Sequence, residues 1–401
     1  STQSRSSAAS DVYKRQAMRH DLMRGLKQGA PFMLMEQTPS VTNWQPYNLL
    51  KRPGEMRLIS YQAVAHGADT VMFFQMRRSI GACEKFHGAV IDHVGTEHTR
   101  VFREVSRLGA ELEQLGGVTL NARTPSRVAM LVDWDNWWAL EYSAGPSCDL
   151  KYLDELANYY TALYDKNISV DIISTEDSLE GYQVVIAPVL YMTKPGTDEK
   201  IRRFVSAGGT FVTTFLSGLV DENDLVFTGG YPGKLRDILG IWVEETDALP
   251  AYMKNRFSWN GKEYESGVIC DIMHMEHAKA LACYEKDFYE GTPVLSRNEL
   301  GEGRAYYVAT RSGGDFYADF LEMVLEEQNI KPVFKPRAGV EITLRRKNGN
   351  DFLFFLNHNA QEEKLTAENP GTDLLTGKQY LAGDDIILPG KGVMIFKENL
   401  S

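Results

Sequence analysis

The sequence predicts an α/β protein in three parts: the C-terminal part of a (β/α)8 TIM barrel, a doubly wound α/β domain, and a small antiparallel β domain. Three observations carry this. Short apolar runs such as PFMLME (31–36), DTVMFFQM (69–76), RVAMLVD (127–133) and YQVVIAP (182–188) alternate with segments whose apolar residues recur at helical spacing. That is the pattern of parallel strands covered on both faces by helices. The run 31–36 ends in a carboxylate, Glu36, and opens into a polar loop, which is how a parallel barrel presents a catalytic group. After about residue 335 two alternating runs flank Asn348-Gly349-Asn350, a strong hairpin signal.

The elements follow in order. Residues 1–16 (STQSRSSAASDVYKRQ) are Ser-rich, begin without Met and have no period, so they read as a non-native tag or assembly scar. The barrel piece then spans 17–123. It holds a helical segment over 17–29 that stops at Gly29, the strand 31–36, a helix over 53–66 opened by Pro53-Gly54 and closed by Gly67, and the strand 69–76. A loop follows, then a long helix from about 97 to 115, stopped by Gly116-Gly117. The α/β domain spans 124–335. Strands are expected at 127–133, 168–174, 182–188 and 210–215, and helices at 149–166 and 195–207. From about 225 the pattern loosens, with strands near 266–270, 280–285 and 303–309 and a helix over 316–328. The β domain spans 336–401.

A chain of 401 residues favours two or three domains. A net charge of −11 argues against nucleic acid or an anionic membrane as partner. Cys83, Cys148, Cys270 and Cys283 have no CxxC spacing, so neither a zinc site nor a disulfide framework is expected, and no metal or cofactor is called for. No run reaches the roughly 18 to 20 apolar residues of a membrane helix, and no charged-then-apolar leader precedes the fold. The cytoplasm is the expected compartment.

The chemistry centres on Glu36. Trp44 follows in its loop, and the next strand carries Phe74 and leads to Glu84, Phe86 and His87. A sugar ring stacks its apolar face on aromatics and pairs its hydroxyls with carboxylates and imidazole. Each residue also has a structural alternative: Phe74 in the core, His87 as a loop hydrogen-bonder, Glu84 as a partner of Arg77 or Arg78. The blocks MEQTPSVTNWQP (35–46) and FFQMRRSIGACEKFHGAVIDH (73–93) resemble glycoside hydrolase family 42 β-galactosidases, and the resemblance runs from about residue 18 to the C-terminus.

The resemblance implies a barrel, an amidotransferase-like (flavodoxin-like) trimerisation domain and a small β-sandwich. It places Glu36 at the nucleophile position and Trp44, Phe74, Glu84 and His87 at galactose-contacting positions. It implies retaining hydrolysis of β-D-galactosides by a homotrimer. The family's acid/base is the Glu of an Asn-Glu pair on an earlier barrel strand. The only such pair here, Asn298-Glu299, lies outside any barrel strand and is rejected. The expectation is therefore that the acid/base is absent from this chain, and that the chain alone is inactive.

An amidotransferase-like domain would carry its nucleophilic Cys at a strand-to-helix turn, but LSGLVD (216–221) offers only Ser217. A packing and oligomerising role is expected instead. Trp134, Trp137 and Trp138, in WDNWWALEY after the strand 127–133, are candidate interface anchors in a loop, with local core packing as the alternative. His274 and His277, with Glu276 between them, are either a metal pair or solvated polar residues. The competing function is a non-catalytic oligomerisation or carbohydrate-binding module built on the second domain.

Overall fold

A computed structural model describes residues 2–399, with side chains described from Asp11 onward. The chain forms two compact units. One comprises the chain through Pro125, Tyr164–Ser169 and everything from Pro332; the other comprises Ser126–Leu163 and Val170–Lys331.

The first unit opens with α1 (Thr2–Gly25), β1 (Phe32–Gln37), α2 (Glu55–Ala65), β2 (Ala68–Phe73) and α3 (Arg100–Thr119). β1 and β2 are parallel, with α2 as the crossover. Two differences from the sequence expectation stand out. The helix α1 reaches back across most of the stretch set aside as 1–16. Tyr13 lies 4.3 Å ring to ring from His358, and Lys14 pairs with Asp165 at 2.6 Å. Its anchors, Ala17 and Met18 among them, sit in the C-terminal half, so the Ser-rich half shows no apolar period. α3 runs through Gly116-Gly117 to Thr119. Its flank packs Leu108 and Leu115 in a common core with Met56, Leu58 and Tyr61 of α2, and this burial outweighs the roughly 1 kcal/mol that each helical glycine costs.

The second unit is built on β3 (Val128–Val132), α4 (Trp134–Tyr142), α5 (Tyr152–Tyr164), β4 (Val170–Ser174), β5 (Val184–Ala187), α6 (Thr197–Ser206) and β6 (Thr210–Thr214). It continues with α7 (Arg236–Leu239), β7 (Ile241–Leu249), β8 (Asn255–Trp259), β9 (Lys262–Met275), β10 (Lys279–Cys283), β11 (Pro293–Leu300), β12 (Gly303–Val308), β13 (Thr310–Ser312) and α8 (Gly314–Glu327). The main sheet has the order β10-β11-β12-β6-β5-β3-β4. It is parallel from β4 to β12, while β11 and β10 extend it antiparallel. The loosely patterned region therefore forms the mixed edge of this sheet and a second antiparallel sheet, β13-β9-β7 with β8 on β9. The Trp-rich stretch is the helix α4, not a loop. The Asp133 carboxylate accepts from the Asp135 and Asn136 amides, a cap strong enough to start a helix.

The chain closes with β14 (Val340–Lys347), β15 (Asn350–Asn357), β16 (Glu363–Thr366), β17 (Gly371–Asp373), β18 (Gln379–Tyr380), β19 (Asp385–Leu388) and β20 (Val393–Glu398). The predicted hairpin is there: Asn348 and Gly349 both take positive φ, and Lys347 pairs with Asn350. A two-residue loop of this kind matches strand twist. Five strands, β14-β15-β20-β17-β18, face the β16-β19 pair. β15 is continuously apolar from Phe352 to Leu356 because both of its faces are covered there. Leu353 and Phe355 enter the β-domain core, while Phe352, Phe354 and Leu356 pack on α2 and α3. The β domain thus shares one unit with the barrel elements. Buried Arg345 of β14 extends this union by donating to the Val64, Ala68 and Ala122 carbonyls and to Asp69 at 2.8–3.2 Å. These close the C-terminal end of α2, whose last carbonyls lack helical partners.

Candidate active site

Glu36 stands at the C-terminal end of β1, exposed, and its carboxylate has no hydrogen-bond partner among the described residues. The next residue anchors it. Buried Gln37 points to the opposite face, where its Nε2 donates to Ser60 Oγ of α2 at 2.5 Å. Its carbonyl accepts the Phe74 amide at 3.1 Å. Glu36 and Phe74 therefore leave adjacent parallel strands at the same end, as a barrel site requires.

From Phe74 the chain makes an excursion and returns. Bonds from Val90 N to Gln75 O and from Ile91 N to Met76 O, 2.9 and 2.8 Å, zip the returning segment beside the outgoing one. Within the excursion a single 3-10 turn, Cys83–Phe86, presents Glu84, and His87 follows it. His87 is buried and meets Phe74 edge to face, centroids 5.0 Å apart. Its Nδ1 lies 2.9 Å from the Gly88 carbonyl. A carbonyl only accepts, so Nδ1 donates to it, which leaves Nε2 for a further hydrogen bond. Gly88 donates to Val41 O at 2.7 Å, and a Cβ there would lie 2.8 Å from Val41 N; glycine lets the two loops touch.

Glu84 takes neither arginine proposed for it. Its Oε2 accepts from Asn43 Nδ2 at 3.1 Å, while Arg78 bonds the Lys85 and Phe86 carbonyls and Asp92. Trp44, beside Asn43, is 71 % exposed, with its ring open to solvent. Glu36, Trp44, Phe74, Glu84 and His87 thus belong to two interlocked loops at one end of the β1-β2 pair. Asn43 was missed, and Arg78 was given the wrong partner, because asparagine and arginine in a loop carry no periodic signal; their hint was adjacency to the motif residues.

Three family models match this chain: one described as β-galactosidase over residues 2–115, one as β-galactosidase trimerisation domain over 126–331, and one as β-galactosidase C-terminal domain over 339–398. A β-galactosidase, BgaP, of Planococcus sp. (strain L4) is 53 % identical over 94 % of this chain and 57 % of its own length. The chain belongs to glycoside hydrolase family 42. Another family β-galactosidase, LacZ of Lactobacillus acidophilus, is 45 % identical over 90 % of this chain and 55 % of its own length. Among solved structures, the β-galactosidase of Bacillus circulans sp. alkalophilus superposes with a TM-score of 0.94 at 55 % identity, over 96 % of this chain and 58 % of that one. The enzyme of Rahnella sp. R3 gives 0.92 at 42 % identity, over 97 % and 58 %. The chain therefore spans a little over half the length of the family 42 relatives it matches.

The remaining candidates lie in the trimerisation-domain segment. Ser217 is fully buried, bonded to Leu190 N and Thr213 Oγ1 at 2.9 and 2.7 Å. The strained position of that turn is Leu216, at φ 58°, so the geometry that would expose a nucleophile holds an apolar side chain. Asn298 is buried and donates to Ile238 O, and Glu299 pairs with Arg297. His274 stacks on Trp242 at 4.2 Å and bonds Glu244, and Glu276 pairs with Arg236. Among the described residues no group of three or more His, Cys, Asp or Glu is arranged to hold a metal ion. On α4, Trp134 and Trp138 are 40 % and 53 % exposed, and Trp137 leans on Trp134 at 5.6 Å. No helix among the described residues is long and apolar enough to cross a membrane.

Proposed function

We propose that this chain carries the nucleophile half of a retaining β-galactosidase site. Glu36 attacks the anomeric carbon of a terminal β-D-galactoside and forms a galactosyl-enzyme. A second carboxyl, about 5 to 5.5 Å away, protonates the departing oxygen and then activates water. That acid is supplied from outside the residues of this chain. Trp44 and Phe74 stack on the sugar, and Glu84 and His87 Nε2 bond its hydroxyls. The observation that carries the proposal is that Glu36, without a hydrogen-bond partner among the described residues, leaves β1 where Phe74 leaves β2, with His87 against Phe74 and Glu84 tied to the β1 loop by Asn43. The protein works in the cytoplasm, in keeping with its four free cysteines, as a homotrimer whose contacts include the α4 tryptophans.

The test is hydrolysis of 4-nitrophenyl β-D-galactoside. This chain and its Glu36→Gln variant are each co-expressed with the part of the Planococcus relative that the chain does not match. Turnover that falls at least a thousandfold in the variant supports the proposal, and equal turnover overturns it. No turnover in either would favour a non-catalytic oligomerisation or carbohydrate-binding role.

A further inference from the structure

We propose that Asn43 and Arg78 are positioning residues that preassemble the sugar-contacting half of the site; the inference rests on the galactosidase reading above. The segment 83–88 is too short to hold itself. It is a single 3-10 turn closed at its end by His87 N to Glu84 O at 3.0 Å, and a lone 3-10 turn has poor hydrogen-bond geometry. Two side chains from outside supply the rest.

Arg78 spreads its guanidinium over three acceptor groups. Nε donates to Lys85 O at 3.0 Å, Nη2 to Phe86 O at 2.9 Å, and Nη1 to both Asp92 oxygens at 3.0 and 3.1 Å. The two carbonyls it holds are those between Glu84 and His87. Burial raises the Asp92 carboxyl, but the Arg78 bonds outweigh this and keep it below the usual carboxylate range. From the other loop, Asn43 Nδ2 donates to Cys83 O and to Glu84 Oε2, at 3.0 and 3.1 Å. Gly88 N to Val41 O completes the seam. Every residue from Cys83 to Gly88 is thus fixed by a named bond, while the second Glu84 oxygen and His87 Nε2 have no partner among the described residues. A site held before the sugar arrives avoids the ordering cost on binding, and the rigid guanidinium fork spans these three separated acceptor groups, whereas an ammonium presents its donors from one point.

The closing experiment has two arms. Hydrogen exchange is measured on this chain with Arg78→Lys, Arg78→Met and Asn43→Ala. The expected result is exchange at least tenfold faster at the His87 and Gly88 amides in all three, lysine giving no rescue, with residues 126–331 and the melting temperature unchanged. Unchanged exchange at those two amides, or acceleration spread across the first unit, would overturn the proposal. In the co-expressed assembly the same variants should raise KM for 4-nitrophenyl β-D-galactoside at least fivefold with kcat within threefold, and an unmoved KM would overturn it. The exchange arm needs no turnover, so failure here is distinguishable from failure of the galactosidase reading, which Glu36→Gln reports.

Discussion

His66 Nε2 meets Glu341 Oε1 at 2.5 Å, joining the end of α2 to β14, while its Nδ1 meets Asp21 Oδ1 of α1 at 2.7 Å. A ring with an acceptor-only carboxylate at each nitrogen must donate from both, so His66 is an imidazolium. Glu341 also accepts from Gln62 and His358 at 2.8 and 2.7 Å. The pair is therefore a fully buried ionic centre holding barrel helices and β domain together.

The sign of its pH dependence follows. Burial lowers the His66 pKa, but Asp21 and Glu341 outweigh burial and hold it up at about 9, against 6.5 unfolded. Its contribution is complete below pH 6.5 and lost as pH rises through 9. Burial raises the Glu341 pKa, but His358 and His66 outweigh it and hold it well below the normal range; its contribution is complete above pH 4.5 and lost in acid. Guanidinium unfolding of the first unit should show a plateau between these limits and a decline from pH 6.5 to 9. His66→Gln should cost about 3 to 5 kcal/mol at pH 6, since it removes the cation set between two buried carboxylates, of which Asp21 keeps Arg24, and should abolish the alkaline decline.

In the second unit a buried carboxyl follows the sign of His66 and opposes that of Glu341. Asp271 of β9 is fully buried, accepting from Tyr231 and Thr246 on Oδ1 and from Tyr307 and Leu216 N on Oδ2, at 2.6–3.2 Å. Burial pushes it up to about 6 from 3.8 in spite of these donors. A raised folded pKa means that its contribution is complete below pH 3.8 and lost as pH rises through 6. Asp271→Asn sets an amide N–H against one pair of donors and should cost about 1 to 3 kcal/mol. Wild-type minus variant stability, from denaturant titrations at pH 4 to 7, should shrink across that interval.

Oligomerisation is expected to depend on α4. Trp138 and Tyr142 fall one helical turn apart and are 53 % and 89 % exposed, whereas Asn136 and Leu140 on the other side are buried. Trp138→Asp should convert the proposed trimer to monomer in sedimentation velocity, with the far-ultraviolet spectrum unchanged. A variant that stays trimeric removes Trp138 from the interface.

What the sequence revealed follows from which residues carry a period. The β1 and β2 runs, the Gly67 helix stop and the Asn348-Gly349 turn were legible because apolar repeats and positive-φ residues are local signals. α4 was read as a loop because three tryptophans obscured the Asp133 cap. The sheet β13-β9-β7 was illegible because its pairings join distant residues, Thr246 to Asp271 for one. The candidate residues Glu36, Trp44, Phe74, Glu84 and His87 were named through resemblance, whereas the bonds from Asn43 and Arg78 to Glu84 and its turn come from tertiary geometry.

The most direct test of the central claim is covalent trapping. The chain co-expressed with the unmatched part of its relative is treated with 2-deoxy-2-fluoro-β-D-galactosyl fluoride. The C2 fluorine slows breakdown of the galactosyl-enzyme, and fluoride departs with little help from an acid. Peptide mass spectrometry should find one fluorogalactosyl group, on the peptide containing 31–47 and at Glu36. Label on another carboxylate, or none after complete inactivation, would contradict the assignment of Glu36 as nucleophile.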